Sequence, residues 1–152
     1  MSRHRSRHRA VQVLYQCDLR GISPEEAIRN YYGGLYTEET KDALVRDSFM
    51  EELVEETVGK RLLIDGYIER ASENWRVERM PAVDRNILRM AVFELLQGKL
   101  PAPVVIDEAL ELARRFSGEE SVAFLNGVLD GVRKQLALPP TPTLEAGSAP
   151  EE

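Results

Sequence analysis

The sequence predicts an all-α protein, and three observations support this fold class. Residues 81–96 carry apolar side chains around most of a helical circumference, and the segment is too long for a typical strand. Pro81 stands where a helix tolerates proline, and Gly98 follows the last apolar residue as a stop signal. No strand-like alternation or internal repeat stands out elsewhere. Residues 81–96 are therefore interpreted as a helix packed on several sides by the rest of the chain.

Length and composition indicate an ordinary soluble domain. The chain has 152 residues, of which 43% are hydrophobic and 30% charged, so a single domain burying roughly 70% of its unfolded surface is expected. No apolar run is long enough to cross a bilayer, and the basic N-terminus lacks the apolar segment of a signal peptide. Cys17 is the only cysteine and cannot form an internal disulfide. These features favour a cytoplasmic protein.

Charge is distributed unevenly along the chain, although the net charge is −6. Residues 1–20 contain five arginines and one acid, whereas residues 21–70 contain twelve acids and six bases. A basic end on an acidic body is typical of a localised polyanion contact, and the alternative is a solvated, frayed terminus. Four of the arginines recur at every second residue, which would place them on two faces of a helix but on one side of an extended segment. Residues 1–9 are predicted to form a basic arm.

The N-terminal part of the chain shows successive helical patterns. An amphipathic helix is predicted from Ala10 to about Gly21. The run 23–26 begins a second helix, with Ser23 as N-cap, and this helix should stop before Gly33. A further helix is expected over about 38–58, with a helical continuation over 62–71.

The connection over 72–80 contains the only tryptophan. Trp75 either anchors a partner or packs between two halves of the protein, and the second interpretation is favoured because a large aromatic mainly contributes buried area. Beyond the central helix, Pro103 opens another helix, and Ser117 with Glu120 forms a capping box for the last one. Gly127 and Gly131 should permit close helix approach. Residues 139–152 are predicted to be a disordered acidic tail, since Pro, Thr, Gly, Ser, Ala and Glu cannot bury enough surface to order themselves.

No enzymatic constellation is evident, and no cofactor or metal is expected. The chain has no phosphate loop of the P-loop or dinucleotide type. His4 and His8 have the one-turn spacing of two metal ligands, but no third ligand is evident nearby. Cys17 falls on the apolar face of its helix, which indicates a buried, inert thiol. Recognition rather than catalysis is therefore the predicted kind of function.

Three stretches resemble the bacterial transcription antitermination factor family NusB. They are residues 83–95 (VDRNILRMAVFEL), the run that starts at Pro103 (PVVIDEALELA) and residues 124–130 (FLNGVLD). The arginine-rich start followed by 10–15 (AVQVLY) also resembles the family, so the similarity extends from about Arg3 to Leu136. The resemblance implies two small helical bundles, about seven helices in all, packed at an angle. The N-terminal half would end near residue 74 and the C-terminal half would begin near residue 75.

The resemblance also implies a function and partners. NusB proteins form a heterodimer with NusE, a small-subunit ribosomal protein, and the pair binds boxA-type single-stranded RNA of ribosomal operons and helps RNA polymerase pass terminators. No catalysis is implied, and a homodimer is possible. Two alternatives remain open: a stand-alone RNA-binding module related to the N-terminal domains of ribosomal-RNA methyltransferases, and an adaptor that binds only protein.

Site residues are implied by the same resemblance. Two residues are predicted to face the protein partner or the junction with it: Tyr15 and Asp84. Five are predicted on the RNA side: Arg3, Arg5, Arg7, Glu120 and Phe124. From the pattern alone, Phe124 would more often be a core residue, because it lies beside the buried stripe; the resemblance favours a ring at the RNA surface. Ala123 stands where many family members carry a basic residue, which removes one possible contact.

Overall fold

The computed structural model describes residues 2–35 and 45–140 of the chain. Within these ranges it contains seven α-helices, one 3-10 turn and no strand, so the all-α prediction is confirmed. The chain divides into two compact units, the first ending at Gly59 and the second beginning at Lys60. None of the described helices combines the length and the hydropathy that crossing a membrane requires.

The first unit consists of α1 (Arg3–Arg20), α2 (Pro24–Leu35) and α3 (Ser48–Gly59), with each helix packed against the other two. Its core includes Ala10, Val13 and Leu14, which bury one face of α1 at the spacing expected for an amphipathic helix. The predicted start of α2 is confirmed, because the backbone N–H of Glu26 donates to Ser23 Oγ at 3.0 Å.

The first three predicted boundaries need correction. Helix α1 begins at Arg3, seven residues before the predicted start, because Ser2 caps it: its Oγ accepts from the Arg5 N–H at 3.1 Å. The basic segment is therefore helical. Helix α2 continues beyond Gly33 to Leu35, since two glycines lower helix propensity without preventing the helix. Of the helix predicted over 38–58, residues 38–44 lie outside the described residues, and α3 begins at Ser48.

The second unit is built around α5 (Ala82–Gln97), as the sequence predicted. Helix α5 packs against α4 (Arg61–Ala71), α6 (Ala102–Phe116) and α7 (Glu119–Gln135), and the 3-10 turn (Val77–Arg79) lies before it in the chain. Eleven of its sixteen residues are buried, because neighbouring helices cover it on several sides. Gly98 ends α5 in the left-handed conformation, with φ of 73°.

The division between the units lies at Gly59, not near residue 74, because α4 packs with α5 and α7. Arg89 on α5 donates to both carboxylate oxygens of Asp65 on α4, at 2.8 and 3.0 Å. The end of α4 meets α7 where Ala71 approaches Gly131. Of the predicted acidic tail over 139–152, residues 141–152 lie outside the described residues.

Candidate nucleic-acid interface

The N-terminal arginines lie on two faces of α1. Arg3 and Arg7, one turn apart, both place their guanidinium groups over the ring of Phe49, at 4.1 and 5.3 Å from its centroid. Arg3 and Arg5 are exposed, whereas Arg7 is only 5% exposed. The arginines therefore do not line one side of the segment, as they would in an extended arm. Arg3 and Arg5 offer their charge to solvent, while Arg7 is held largely inside the first unit.

Asp47 fixes this end of α1 to the start of α3. Its carboxylate accepts hydrogen bonds from Ser6 Oγ at 2.9 and 2.8 Å, from Arg9 Nη1 at 3.0 Å and from the Met50 N–H at 3.0 Å. Burial alone would raise the pKa of Asp47, but the bonds from Met50, Ser6 and Arg9 outweigh it and lower that pKa. The arginine-bearing turns of α1 are thus ordered by contacts within the protein.

A second cluster lies on α7. Glu120 and Phe124 are one turn apart; Glu120 is exposed and Phe124 is half-buried. The Phe124 ring meets Trp75 edge to face, with 5.3 Å between centroids and 68° between planes. Leu125 and Leu129, in contrast, are fully buried. Phe124 therefore lies at the margin of the core, where part of its ring reaches solvent.

Asp84 is buried at the start of α5, with 3% of its surface exposed. Its two carboxylate oxygens accept hydrogen bonds from Ser117 Oγ at 2.6 Å and from Ser121 Oγ at 2.8 Å. The Asp84 carboxylate therefore accepts two hydroxyl hydrogen bonds inside the second unit and is not exposed to solvent. The predicted capping box of Ser117 and Glu120 is also wrong. Gly118 is the N-cap of α7 and makes no side-chain hydrogen bond, and the Ser117 hydroxyl donates to Asp84.

Trp75 is a surface residue, contrary to the expectation from its sequence. Half of it is exposed, and its described ring contact is with Phe124 in its own unit. A signal was present in the sequence: Trp75 stands in a polar connection without the apolar spacing of a buried stripe.

The remaining predicted residues lie on α1. Tyr15 is half-buried, and no described contact tests its predicted partner role. Cys17 is partly buried, and this burial raises the pKa of its thiol. The rings of His4 and His8 lie 4.9 Å apart. Over residues 2–35 and 45–140, no group of three or more His, Cys, Asp or Glu side chains is arranged to hold a metal ion.

Comparisons with known proteins connect these features to one family. The NusB family model matches residues 4–134. The transcription antitermination protein NusB of Solibacter usitatus is 52% identical over 147 residues, which cover 97% of this chain and 99% of that protein. The protein of the same name from Anaeromyxobacter dehalogenans is 44% identical over 138 residues, which cover 91% and 93% of the two chains.

Solved structures agree with the sequence comparison. T. maritima NusB superposes with a TM-score of 0.73 at 32% identity, covering 89% of this chain and 92% of that one. A crystal structure of antitermination factors NusB and NusE in complex with dsRNA contains a chain that superposes with a TM-score of 0.72 at 31% identity, covering 89% of this chain and 99% of that one. With the family model matching most of its length, this chain belongs to the NusB family.

Proposed function

We propose that this protein is an RNA-binding transcription antitermination factor. Together with NusE it binds boxA-type single-stranded RNA of ribosomal operons and helps RNA polymerase pass terminators. Its relatives are transcription antitermination proteins, and a similar solved chain is bound to NusE and RNA. It acts by binding, without catalysis, in the cytoplasm, where nascent RNA is made in bacteria.

The observation that carries this proposal is the pre-ordered basic end of α1. Arg3 and Arg5 expose their charge on a helix that Phe49 and Asp47 hold in place, on a chain whose net charge is −6. Arginine suits phosphate because its planar guanidinium presents several donors. A helix ordered before binding also loses less conformational entropy when it meets RNA. We therefore assign the phosphate contact to Arg3 and Arg5. Arg7 is buried, and its guanidinium group packs over the Phe49 ring.

Phe124 supplies the second element of the proposal. Single-stranded RNA is recognised through unstacked bases that lie on aromatic rings. Phe124 is half-buried on α7, and Glu120 lies one turn before it. We infer that Phe124 takes a base and that Glu120 limits how closely phosphate approaches this face, because like charges repel.

The partner contact is proposed for Tyr15 and for the surface organised by Asp84. Since Asp84 itself is buried, its contribution to NusE binding is indirect: it fixes Ser117 and Ser121, which join α5 to the start of α7. Tyr15 is half-buried on α1, so part of its ring is available to a partner.

A filter-binding assay with boxA-type RNA, with and without NusE, tests the proposal. We expect the protein to retain the RNA and NusE to strengthen that retention. Retention that NusE leaves unchanged would favour the stand-alone RNA-binding module. Binding of NusE without any retention of RNA would favour the protein-only adaptor, and either result would contradict the proposed function.

A further inference from the structure

We propose that Trp75 is a second base-stacking residue, which forms with Phe124 a two-ring platform for one unpaired base of single-stranded RNA. This inference rests on the proposed function and deepens it by naming a further contact residue and the chemical group that it takes. The residues that carry it all lie in the second unit.

The first observation is the exposure of the tryptophan. Trp75 is 50% exposed although it carries the largest aromatic side chain, whose burial ordinarily contributes much to the stability of a core. Its ring meets Phe124 edge to face, at 5.3 Å and 68°. In such a pair the edge of one ring covers one face of the other. The remaining faces are not covered by the pair, and a planar base could stack on one of them.

The second observation is the rigid turn that carries Trp75. Glu73 and Asn74 both have positive φ, 59° and 70°, a conformation that asparagine adopts readily and glutamate seldom does. The turn is held by hydrogen bonds: the Asn74 N–H donates to the Glu69 carbonyl at 2.7 Å, and Ser72 Oγ donates to the Trp75 carbonyl at 3.2 Å. Such strain persists only where surrounding contacts hold it, and it is concentrated at binding sites.

The third observation is the space beside Phe124 on α7. Ala123 and Gly127, which lie near it on the helix surface, are exposed, and a Cβ added to Gly127 would meet no atom within 4 Å. Small side chains do not make a binding site. Here they mean that no large side chain at positions 123 and 127 competes with a base for the exposed part of Phe124.

The segment after Trp75 also carries cations that can contact an RNA backbone, and these are balanced by the exposed acids Glu73 and Glu78. Arg76 and Arg79 follow Trp75 closely in the chain, and both are exposed. The described ion pair of Arg76, with Glu78 at 3.5 Å, joins two side chains that are each about two-thirds exposed, and such pairs are weak enough to open for a phosphate. Arginines close in the chain to exposed aromatic rings are residue types with which proteins bind the backbone and the bases of a single strand.

Trp75 is the only tryptophan in the chain, so its fluorescence reports directly on this site. A short single-stranded RNA of boxA type would be titrated into the full-length protein without NusE. We expect the indole emission to change as RNA binds, because a base stacked on indole alters its environment. The midpoint should equal that of the filter-binding curve measured on the same protein.

Variants then separate stacking from structural support. Trp75→Ala should weaken RNA binding by about 5- to 140-fold, whereas Trp75→Phe should retain most of the affinity, since any aromatic face can stack a base. Leu62→Ala, at an apolar position on α4 that is 87% exposed, is the matched control and should bind RNA as the wild type does. Circular-dichroism melting would establish that each variant is folded.

RNA with single abasic positions identifies the base. At one position, removal of the base should abolish the emission change and make Trp75→Ala cost no further affinity, because the two changes remove the same contact. If wild-type protein binds RNA but its emission is unchanged and Trp75→Ala binds normally, this inference is overturned and the proposed function stands. If Trp75→Ala loses only NusE binding, the residue belongs to a protein interface, which also overturns it. If wild-type protein retains no RNA, both proposals fail.

Discussion

At the scale of single residues, Asp47 connects the first and third helices through one carboxylate. Ser6 and Arg9 reach it from α1, and the Met50 N–H reaches it from α3. These donors lower the pKa of Asp47 although burial acts in the opposite direction. A carboxyl group with a lowered folded pKa stabilises the protein above its unfolded pKa of about 3.9, and this contribution is lost as pH falls toward the folded pKa.

Asp47→Asn should therefore destabilise the protein in a pH-dependent way. Near pH 7 we expect a loss of about 1.5–3 kcal/mol, because hydrogen bonds to a charged group are removed. The difference from wild type should shrink below about pH 4, where the wild-type carboxylate also becomes protonated. Urea unfolding at a series of pH values measures both quantities.

Asp130→Asn provides the matched control for Asp47. Arg133 lowers the pKa of Asp130 as well, but the Asp130 side chain is 44% exposed. Solvent screens that pair, so a loss of under about 1 kcal/mol is expected. An Asp47→Asn deficit that is the same at pH 7 and pH 3 would contradict the role assigned to the charge.

Phe124→Ala should affect RNA binding more than stability. A stacked base contributes about 1–3 kcal/mol, and truncation of a half-buried ring should cost less than the roughly 3–5 kcal/mol typical of a core phenylalanine. Filter binding and the urea midpoint of the same variant measure the two effects. Leu125→Ala, at the fully buried neighbouring position, should show the reverse pattern. If Phe124→Ala keeps its RNA affinity but loses much stability, Phe124 is a core residue and not an RNA contact.

At the scale of helices, the two glycines of α7 serve different purposes. A Cβ at Gly131 would lie 3.0 Å from the Cβ of Ala71, at the end of α4. A Cβ at Gly127 would meet nothing within 4 Å. Close approach between α7 and α4 thus requires glycine at Gly131 alone, and the prediction that both glycines permit it is correct for one of them.

Alanine substitution should separate the two positions. Gly127→Ala should stabilise the protein by about 0.5–1 kcal/mol, because alanine is the better helix former. Gly131→Ala should destabilise it by up to about 2 kcal/mol, since the new methyl group meets a Cβ that cannot rotate away and this overpacking exceeds the gain in propensity. Thermal unfolding of both variants measures the difference, and equal shifts in the same direction would refute the close approach.

The junction of α5 and α7 depends on Asp84 as an acceptor. Asp84→Ala should cost about 1–3 kcal/mol, because the hydrogen bonds that its carboxylate accepts from Ser117 and Ser121 are lost. Asp84→Lys is unsuitable as a test, because it would place a lysine cation in a buried position. NusE binding per folded molecule should fall in Asp84→Ala and also in the Ser117→Ala, Ser121→Ala double variant. Normal NusE binding in both variants would show that Asp84 does not contribute to the NusE-binding surface.

At the scale of the whole molecule, the distribution of charge determines how RNA binding should respond to salt. The basic residues of α1 belong to a chain of net charge −6, so an attractive contact must be local. Each phosphate contact on a single strand contributes about −0.7 to the slope of log affinity against log salt, because it releases counterions.

Replacing Arg3 and Arg5 by Ala should flatten that slope by about 0.7 for each phosphate that the variant no longer neutralises. Stability should change by only about 0.5–1 kcal/mol, since Arg3 contributes one exposed cation–π contact with Phe49. Arg29→Ala and Arg114→Ala, at exposed positions outside the proposed site, should leave the slope unaltered. A slope that is unchanged in the Arg3, Arg5 variant would exclude this end of α1 as the electrostatic contact.

The sequence by itself determined the features that depend on interactions between residues close together in the chain. The buried circumference of α5, the Ser23 cap and the left-handed Gly98 could all be predicted, because each depends on neighbours along one helix. The family could likewise be recognised from motifs, and with it the proposed function.

Only the tertiary structure decided which predicted site residues reach solvent. Ser6 bonds Asp47 across 41 residues, and Asp84 bonds Ser117 and Ser121 across 33 and 37. These contacts buried Asp84 and helped to order α1 from Arg3 onward, and the contact between Trp75 and Phe124 joins segments that are 49 residues apart. No local pattern encodes such pairings, because a hydrogen bond or ring contact between distant segments exists only after the helices have packed.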